Sequence, residues 1–135
     1  MPQSLQSKFR ARATKVPHLE IRTFDNQIEH LMAKASGVVA MGGYNTFCEI
    51  LSFDKRAVIV PRETPRMEQR IRADFAAASG LSRLLPCALA EDTGEMHAAL
   101  CALPGQPKPS QAGLGKLLGG LDNINTRLER ILAGP

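Results

Sequence analysis

Tryptophan is absent from this chain, tyrosine occurs once, and aromatic residues make up only 4% of the sequence. That argues against binding single-stranded nucleic acid by stacked rings, and any core has to be built from aliphatic side chains. No basic run resembles a nucleic-acid-binding arm, so no nucleic-acid partner is expected. Apolar stretches long enough to span a membrane are missing, and the opening MPQSLQSKFR has no signal-peptide apolar segment. Cysteine is scarce as well. Cys48, Cys87 and Cys101 are odd in number and share no metal-ligand spacing, so buried, reduced thiols in a cytoplasmic protein are the expectation. Neither a GxGxxG fingerprint nor a Walker lysine is present, which sets aside NAD-dependent enzymes and P-loop NTPases. No Asp/His constellation offers a metal site, so neither a metal nor a cofactor is expected.

What is present is an ordinary globular composition, 44% hydrophobic and 22% charged, in 135 residues, enough for one domain. Seventeen Lys and Arg against thirteen Asp and Glu leave a net charge of +4, which favours anionic partners. Patterning predicts a helix over 4–13 and, from the alternation in HLEIRTF, a strand over 18–24. Asp25 and Asn26 are candidate caps, with Glu29 in capping-box position, for a helix carrying Ile28, Leu31, Met32 and Ala35 and ended by Gly37. VVAM (38–41) and AVIVP (57–61) are continuous apolar runs, as in strands buried on both faces of a parallel sheet. Between them a helix starts at Asn45 or Thr46 and turns Phe47, Ile50 and Leu51 inward. A further helix is predicted over 67–79 with Met67, Ile71, Phe75 and Ala78 on its inner side, stopped by Gly80. SRLLP (82–86) is a weaker strand, and 91–103 a helix opened by Asp92 and Glu95. A Pro/Gly-rich linker follows over 104–113. The chain closes on a helical segment, 114–135, whose helix over 120–133 carries Leu121, Ile124, Leu128 and Ile131. Alternating strands and helices predict an α/β fold, a partial Rossmann-like parallel sheet with helices on both faces and with VVAM and AVIVP central. The layer, residues 1–103, opens on a helix, as if its first strands were missing.

Two clusters fall at the carboxyl ends of predicted strands, where α/β sheets bind ligands. The first is MGGYNTFCE (41–49). Glycines let backbone N–H groups approach a ligand closely, and the following helix start offers free donors and positive dipole character, a good match for a diphosphate. Taken alone, GG after a strand is more often a turn, and Thr46 with Glu49 has the spacing of a capping box. The second cluster, PRETPRMEQRIRA (61–73), places Glu68 and Gln69 at a helix start among Arg62, Arg66, Arg70 and Arg72. A carboxylate beside an amide suits sugar hydroxyls, and arginines suit phosphate oxygens. An ion-paired, solvated helix face is the competing reading for those arginines.

With GGYNTFCEIL, AVIVPR and EQRIRADFAAASGL in this order, the chain resembles the C-terminal, donor-binding domain of a GT-B glycosyltransferase. It is similar to family 28, which includes the N-acetylglucosaminyltransferase of peptidoglycan lipid synthesis, and to bacterial proteins described as predicted glycosyltransferases. The resemblance lies in residues 18–86. It implies a hexosyltransferase in which Gly42, Gly43, Asn45 and Thr46 surround the diphosphate of a nucleotide-sugar donor. Glu49 would then meet the ribose hydroxyls, and Glu68 and Gln69 the transferred sugar, with Arg62 among the substrate-binding residues. The catalytic residue is not assigned. The acceptor would be bound by a missing N-terminal domain, so this piece by itself is expected to be inactive. A cytoplasmic protein in peripheral contact with the inner face of the membrane is implied as well. The small-residue loop of the lipid-linked enzyme is replaced by Tyr44 and Asn45, so sugar and acceptor identity do not carry over. A nucleotide-sugar epimerase and a non-catalytic nucleotide-sugar-binding module are the alternatives. An incomplete sheet with an unpaired edge also predicts self-association.

Overall fold

Three short strands, β1 (Gly37–Ala40), β2 (Arg56–Ile59) and β3 (Arg83–Leu84), form one sheet in the order β1-β2-β3. Both pairings are parallel, with Val38 opposite Ala57 and Ile59 opposite Leu84. The computed structural model describes residues 3–113 and 119–133. Helices α1 (Gln3–Ala13) and α2 (Ile28–Lys34) precede the sheet; α3 (Tyr44–Ser52) and α4 (Glu68–Ala78) connect its strands. The single turn α5 (Cys87–Ala90), α6 (Thr93–Ala102) and α7 (Gly120–Leu132) follow. None of these helices is long and apolar enough to cross a membrane.

β2 is the centre of the layer. Ala57, Val58 and Ile59 are wholly buried, as a continuous apolar run between two covered faces requires. Ala57 and Ile59 look towards Ile50 of α3 and Ala73 of α4, joined by Met32 of α2. Val58 faces the other way, onto Leu85 and Ala99 of α6. Helices therefore cover both faces, as expected. β1 departs from the expectation. It is an edge strand with one hydrogen-bonded neighbour, and Val39 is 43% exposed. An apolar run is compatible with a central position but does not determine strand order.

The other departures share one cause, local pattern overridden by packing. HLEIRTF forms no strand; Leu19 and Ile21 are exposed there. Its charges satisfy each other instead, with Arg22 donating to Glu20 at 2.8 Å and to Asp25 at 2.6 Å, which holds the Asp25 carboxyl below its ordinary range. Asp25 also accepts from the Gln27 N–H, and α2 starts without a side-chain cap, so the Asn26–Glu29 capping box does not form. Gly37 lies in β1 rather than at the end of α2, where a Cβ would sit 2.6 Å from Leu103 Cδ2.

On α4 the inward residues are Ala73 and Ala76, not the expected Met67, Ile71, Phe75 and Ala78; the three larger ones are 50–64% exposed and Ala78 is exposed as well. Two alanines let the helix backbone come close to β3, a position that larger side chains would hold open. Gly80, at φ +69°, stops this helix as expected, and Leu81 N–H donates to Ala76 O at 2.8 Å. Asp92 caps α6, accepting from the N–H groups of Gly94 and Glu95.

The Pro/Gly-rich stretch lies against the layer in two 3-10 turns, Leu103–Gly105 and Pro109–Ala112. Arg56 Nε donates to Gln106 O at 2.6 Å. Asp54 accepts from Ser110 N–H and Oγ–H, each at 2.8 Å, and those bonds hold its carboxyl below the ordinary 3.8. Residues 114–118 of the C-terminal segment lie outside the described residues, as does the side chain of Leu121. The helix over 120–133 is present as α7, with Ile124, Leu128 and Ile131 half or more exposed.

Candidate functional site

All three parallel strands point their carboxyl ends at one edge, where Met41–Gly43, Val60–Met67 and Leu85–Pro86 lead into α3, α4 and α5. Gly42 turns the chain out of β1 with φ +76°, a left-handed conformation that side chains rarely adopt. A Cβ there would sit 2.8 Å from Ile59 Cγ2, so the turn also presses its backbone onto β2. Gly43 is the N-cap of α3, in ordinary backbone geometry, and a Cβ on it would meet nothing within 4 Å.

α3 therefore begins at Tyr44, one or two residues earlier than the sequence predicts. Its first intrahelical bond runs from Phe47 N–H to Gly43 O at 2.8 Å. The N–H groups of Tyr44, Asn45 and Thr46 are left without helical acceptors, and no side chain among the described residues caps them. Thr46 thus sits in the third helical position. It is not an N-cap, and the Thr46–Glu49 capping box does not exist. Glu49 lies one turn further on, on the same face as Asn45, half-buried and without a hydrogen bond or ion pair from its side chain among the described residues. Phe47, Ile50 and Leu51 anchor the opposite face in the core, as the sequence predicts.

Across the edge, the loop before α4 is pinned by its own residues. Gln69 Oε1 accepts from Arg62 N–H at 3.0 Å, which commits the amide oxygen and leaves its NH2 to donate. Arg70 reaches Glu63 at 2.7 Å and Asp74 at 3.0 Å, and these carboxylates raise its guanidinium further above the ordinary range. Arg66 and Glu68 form a looser, exposed pair at 3.7 Å. The ion-paired reading therefore holds for Arg66 and Arg70. Glu68 stands in the first turn of α4, and no hydrogen bond or ion pair joins it or Gln69 to Glu49 among the described residues.

A cleft of about 360 Å3 opens at this edge, lined by Met41, Val60, Pro61, Arg62, Glu63, Thr64 and Cys87. Of the substrate-binding residues expected from the sequence, only Arg62 lines it. The other lining residues were legible in principle, because they stand one to five places beyond the ends of adjacent parallel strands. Arg72 is one of the arginines named in the second cluster, but its place in the fold was not readable from the sequence. Its Nη1 donates to Gly42 O at 2.7 Å, and its guanidinium lies over the Tyr44 ring, 5.6 Å from the centroid. Thirty positions separate Arg72 from Gly42, and no local pattern reports such a contact.

This edge, with a left-handed glycine, an uncapped helix start and an Arg/Glu/Gln-rich second loop, falls inside a family match. Residues 2–93, well over half of the chain, match the C-terminal domain of glycosyltransferase family 28. The chain belongs to that family. The match runs from α1 to the first residue of α6 and takes in the whole sheet, beyond the 18–86 on which the resemblance rests. No curated protein gives a significant match. Family 28 membership makes the full-length protein a glycosyltransferase, and this α/β layer corresponds to the C-terminal half of its GT-B fold.

Proposed function

We propose that this family 28 domain binds a nucleotide-diphosphate-sugar donor, whose hexosyl group passes to an acceptor held by an N-terminal domain. The observation that carries this reading is the turn at Gly42. It delivers three N–H groups, those of Tyr44, Asn45 and Thr46, uncapped among the described residues, at the carboxyl edge of a parallel sheet. In this reading Gly42, Gly43, Asn45 and Thr46 surround the diphosphate. Glu49, free of any capping duty, accepts from the ribose hydroxyls. Glu68, Gln69 through its NH2, and Arg62 in the cleft lining contact the sugar end. Leaving-group charge would develop against the start of α3, where fixed donors and the helix dipole oppose it without reorganising.

In this reading only half of an interdomain cleft belongs to this chain, so a nucleoside diphosphate should bind it weakly. The expected Kd is on the order of 1 mM, about 4 kcal/mol. Titration of the isotope-labelled chain with UDP, dTDP, GDP and ADP should move backbone amide resonances centred on residues 42–49. Shifts scattered over the surface, or none with any of the four, would remove the donor-binding reading.

A further inference from the structure

Four arginines stand in the second loop and the first turns of α4, and the structure sorts them by charge. Arg70 is neutralised by Glu63 and Asp74, and Arg66 is paired loosely with Glu68. Arg62 is held through its backbone, with its side chain exposed. Arg72 differs from all of these. It is half-buried, and its one hydrogen bond goes to the neutral carbonyl of Gly42, so no carboxylate balances its charge among the described residues. That charge is set against the first turn of α3, beside the Gly42 carbonyl and over Tyr44, the first helical residue.

A cation at a helix N-terminus is electrostatically misplaced, because the macrodipole already puts positive charge there. Among the described residues, only one carbonyl bond and one ring contact favour the arrangement. Such breaches of local preference collect at functional sites. An anion at the start of α3 reverses the sign: helix N–H groups and guanidinium would then both attract it. Guanidinium also presents five N–H donors in a planar fork, of which Nη1–H is used on Gly42, leaving the others to phosphate oxygens.

We propose that Arg72 is a phosphate-binding residue of the donor site, holding the Gly42 turn with Nη1 while its remaining N–H groups take diphosphate oxygens. The proposal rests on the donor-binding reading above and adds to it the site's cation. Because the same guanidinium fixes the loop carbonyl, it couples the shape of the glycine turn to the presence of the anion.

Inorganic pyrophosphate isolates this role, since it offers the anion without base, ribose or sugar. Wild type, Arg72→Gln, Arg72→Lys and Arg66→Gln would be titrated with pyrophosphate and with the nucleoside diphosphate that binds best, following amide shifts at 42–49. Arg72→Gln should weaken both ligands by about tenfold, while Arg72→Lys, which keeps the charge, stays within about threefold of wild type. Arg66→Gln removes the same net charge from an exposed position and should change neither. In the wild type, the Arg72 Nε–H resonance should move on adding pyrophosphate, a readout that stands even where Arg72→Gln fails to fold. Nucleoside diphosphate binding at 42–49 that is indifferent to Arg72→Gln, or an Arg72 Nε–H resonance that stays still, would overturn the role of Arg72 and leave the donor site intact. Equal losses in Arg72→Gln and Arg66→Gln would reduce it to an effect of net charge. A wild type that binds neither ligand would remove both readings together.

Discussion

Gly42 and Gly43 are adjacent and chemically identical, yet the fold requires only one of them. Gly42 combines φ +76° with a Cβ position 2.8 Å from Ile59 Cγ2, a methyl on the buried central strand. Gly42→Ala therefore meets both backbone strain and a clash, and is expected to cost about 1–3 kcal/mol of stability. Gly43 has φ −54° and open space around its Cβ position, so Gly43→Ala should stay within about 0.5 kcal/mol of wild type. Urea melts of the two variants test the difference, and equal destabilisation would contradict it. The same pair probes the site. If a diphosphate lies against the backbone here, Gly43→Ala should weaken nucleoside diphosphate binding while leaving the melt unchanged, because its methyl occupies ligand space rather than protein space. At this scale the sequence was a good guide to Gly42 as a turn former. The capping-box alternative for Thr46 and Glu49 is the part that misled, since its spacing is real but begins two residues inside the helix.

Elements show why the remainder was legible only in part. β2 was readable because burial on both faces leaves a continuous apolar run, and Ala57 to Ile59 carry it. The strand in HLEIRTF was misread because alternation describes a half-buried strand only where a neighbour exists to pair with it; here Glu20, Arg22 and Asp25 bind one another in solvent. α4 is the most instructive case. Its large apolar residues, Met67, Ile71 and Phe75, recur every fourth position, yet they point outward while Ala73 and Ala76 pack. Periodicity identified a helix with an apolar stripe, and the need for close approach to β3 selected the small-residue stripe beside it. Substitutions separate the two readings. Ala76→Leu inserts bulk into a closed contact with Phe47, Leu51 and Leu81 and should cost about 1–3 kcal/mol. Ile71→Gln, on the exposed stripe, should shift stability by no more than about 0.5 kcal/mol. A large loss from Ile71→Gln with none from Ala76→Leu would return the helix to the orientation that the sequence predicts.

For the molecule as a whole, that outward stripe has a consequence that no single element shows. Among the described residues no strand pairs with the outer edge of β1, which lies beside exposed Val39 and Met41, and α4 adds Met67, Ile71 and Phe75 at another part of the surface. Scattered apolar residues are normal on a folded protein, whereas an open strand edge flanked by apolar side chains is a template for pairing with another copy. A net charge of +4 on 135 residues is a small repulsion to set against it. We therefore predict that the chain, held apart from any other domain, self-associates as its concentration rises. Light scattering should show a mass above 14.6 kDa that grows with concentration. Val39→Lys places a charge on the exposed side of the edge strand, a device by which natural sheets discourage edge pairing, and should return the chain towards the monomer. The direction of the variant's effect separates the two surfaces. Association through the β1 edge falls with Val39→Lys and persists with Ile71→Gln, whereas association through α4 does the reverse. A wild-type chain that stays monomeric at millimolar concentration would show that the edge is already protected, and the prediction would then fail for both surfaces.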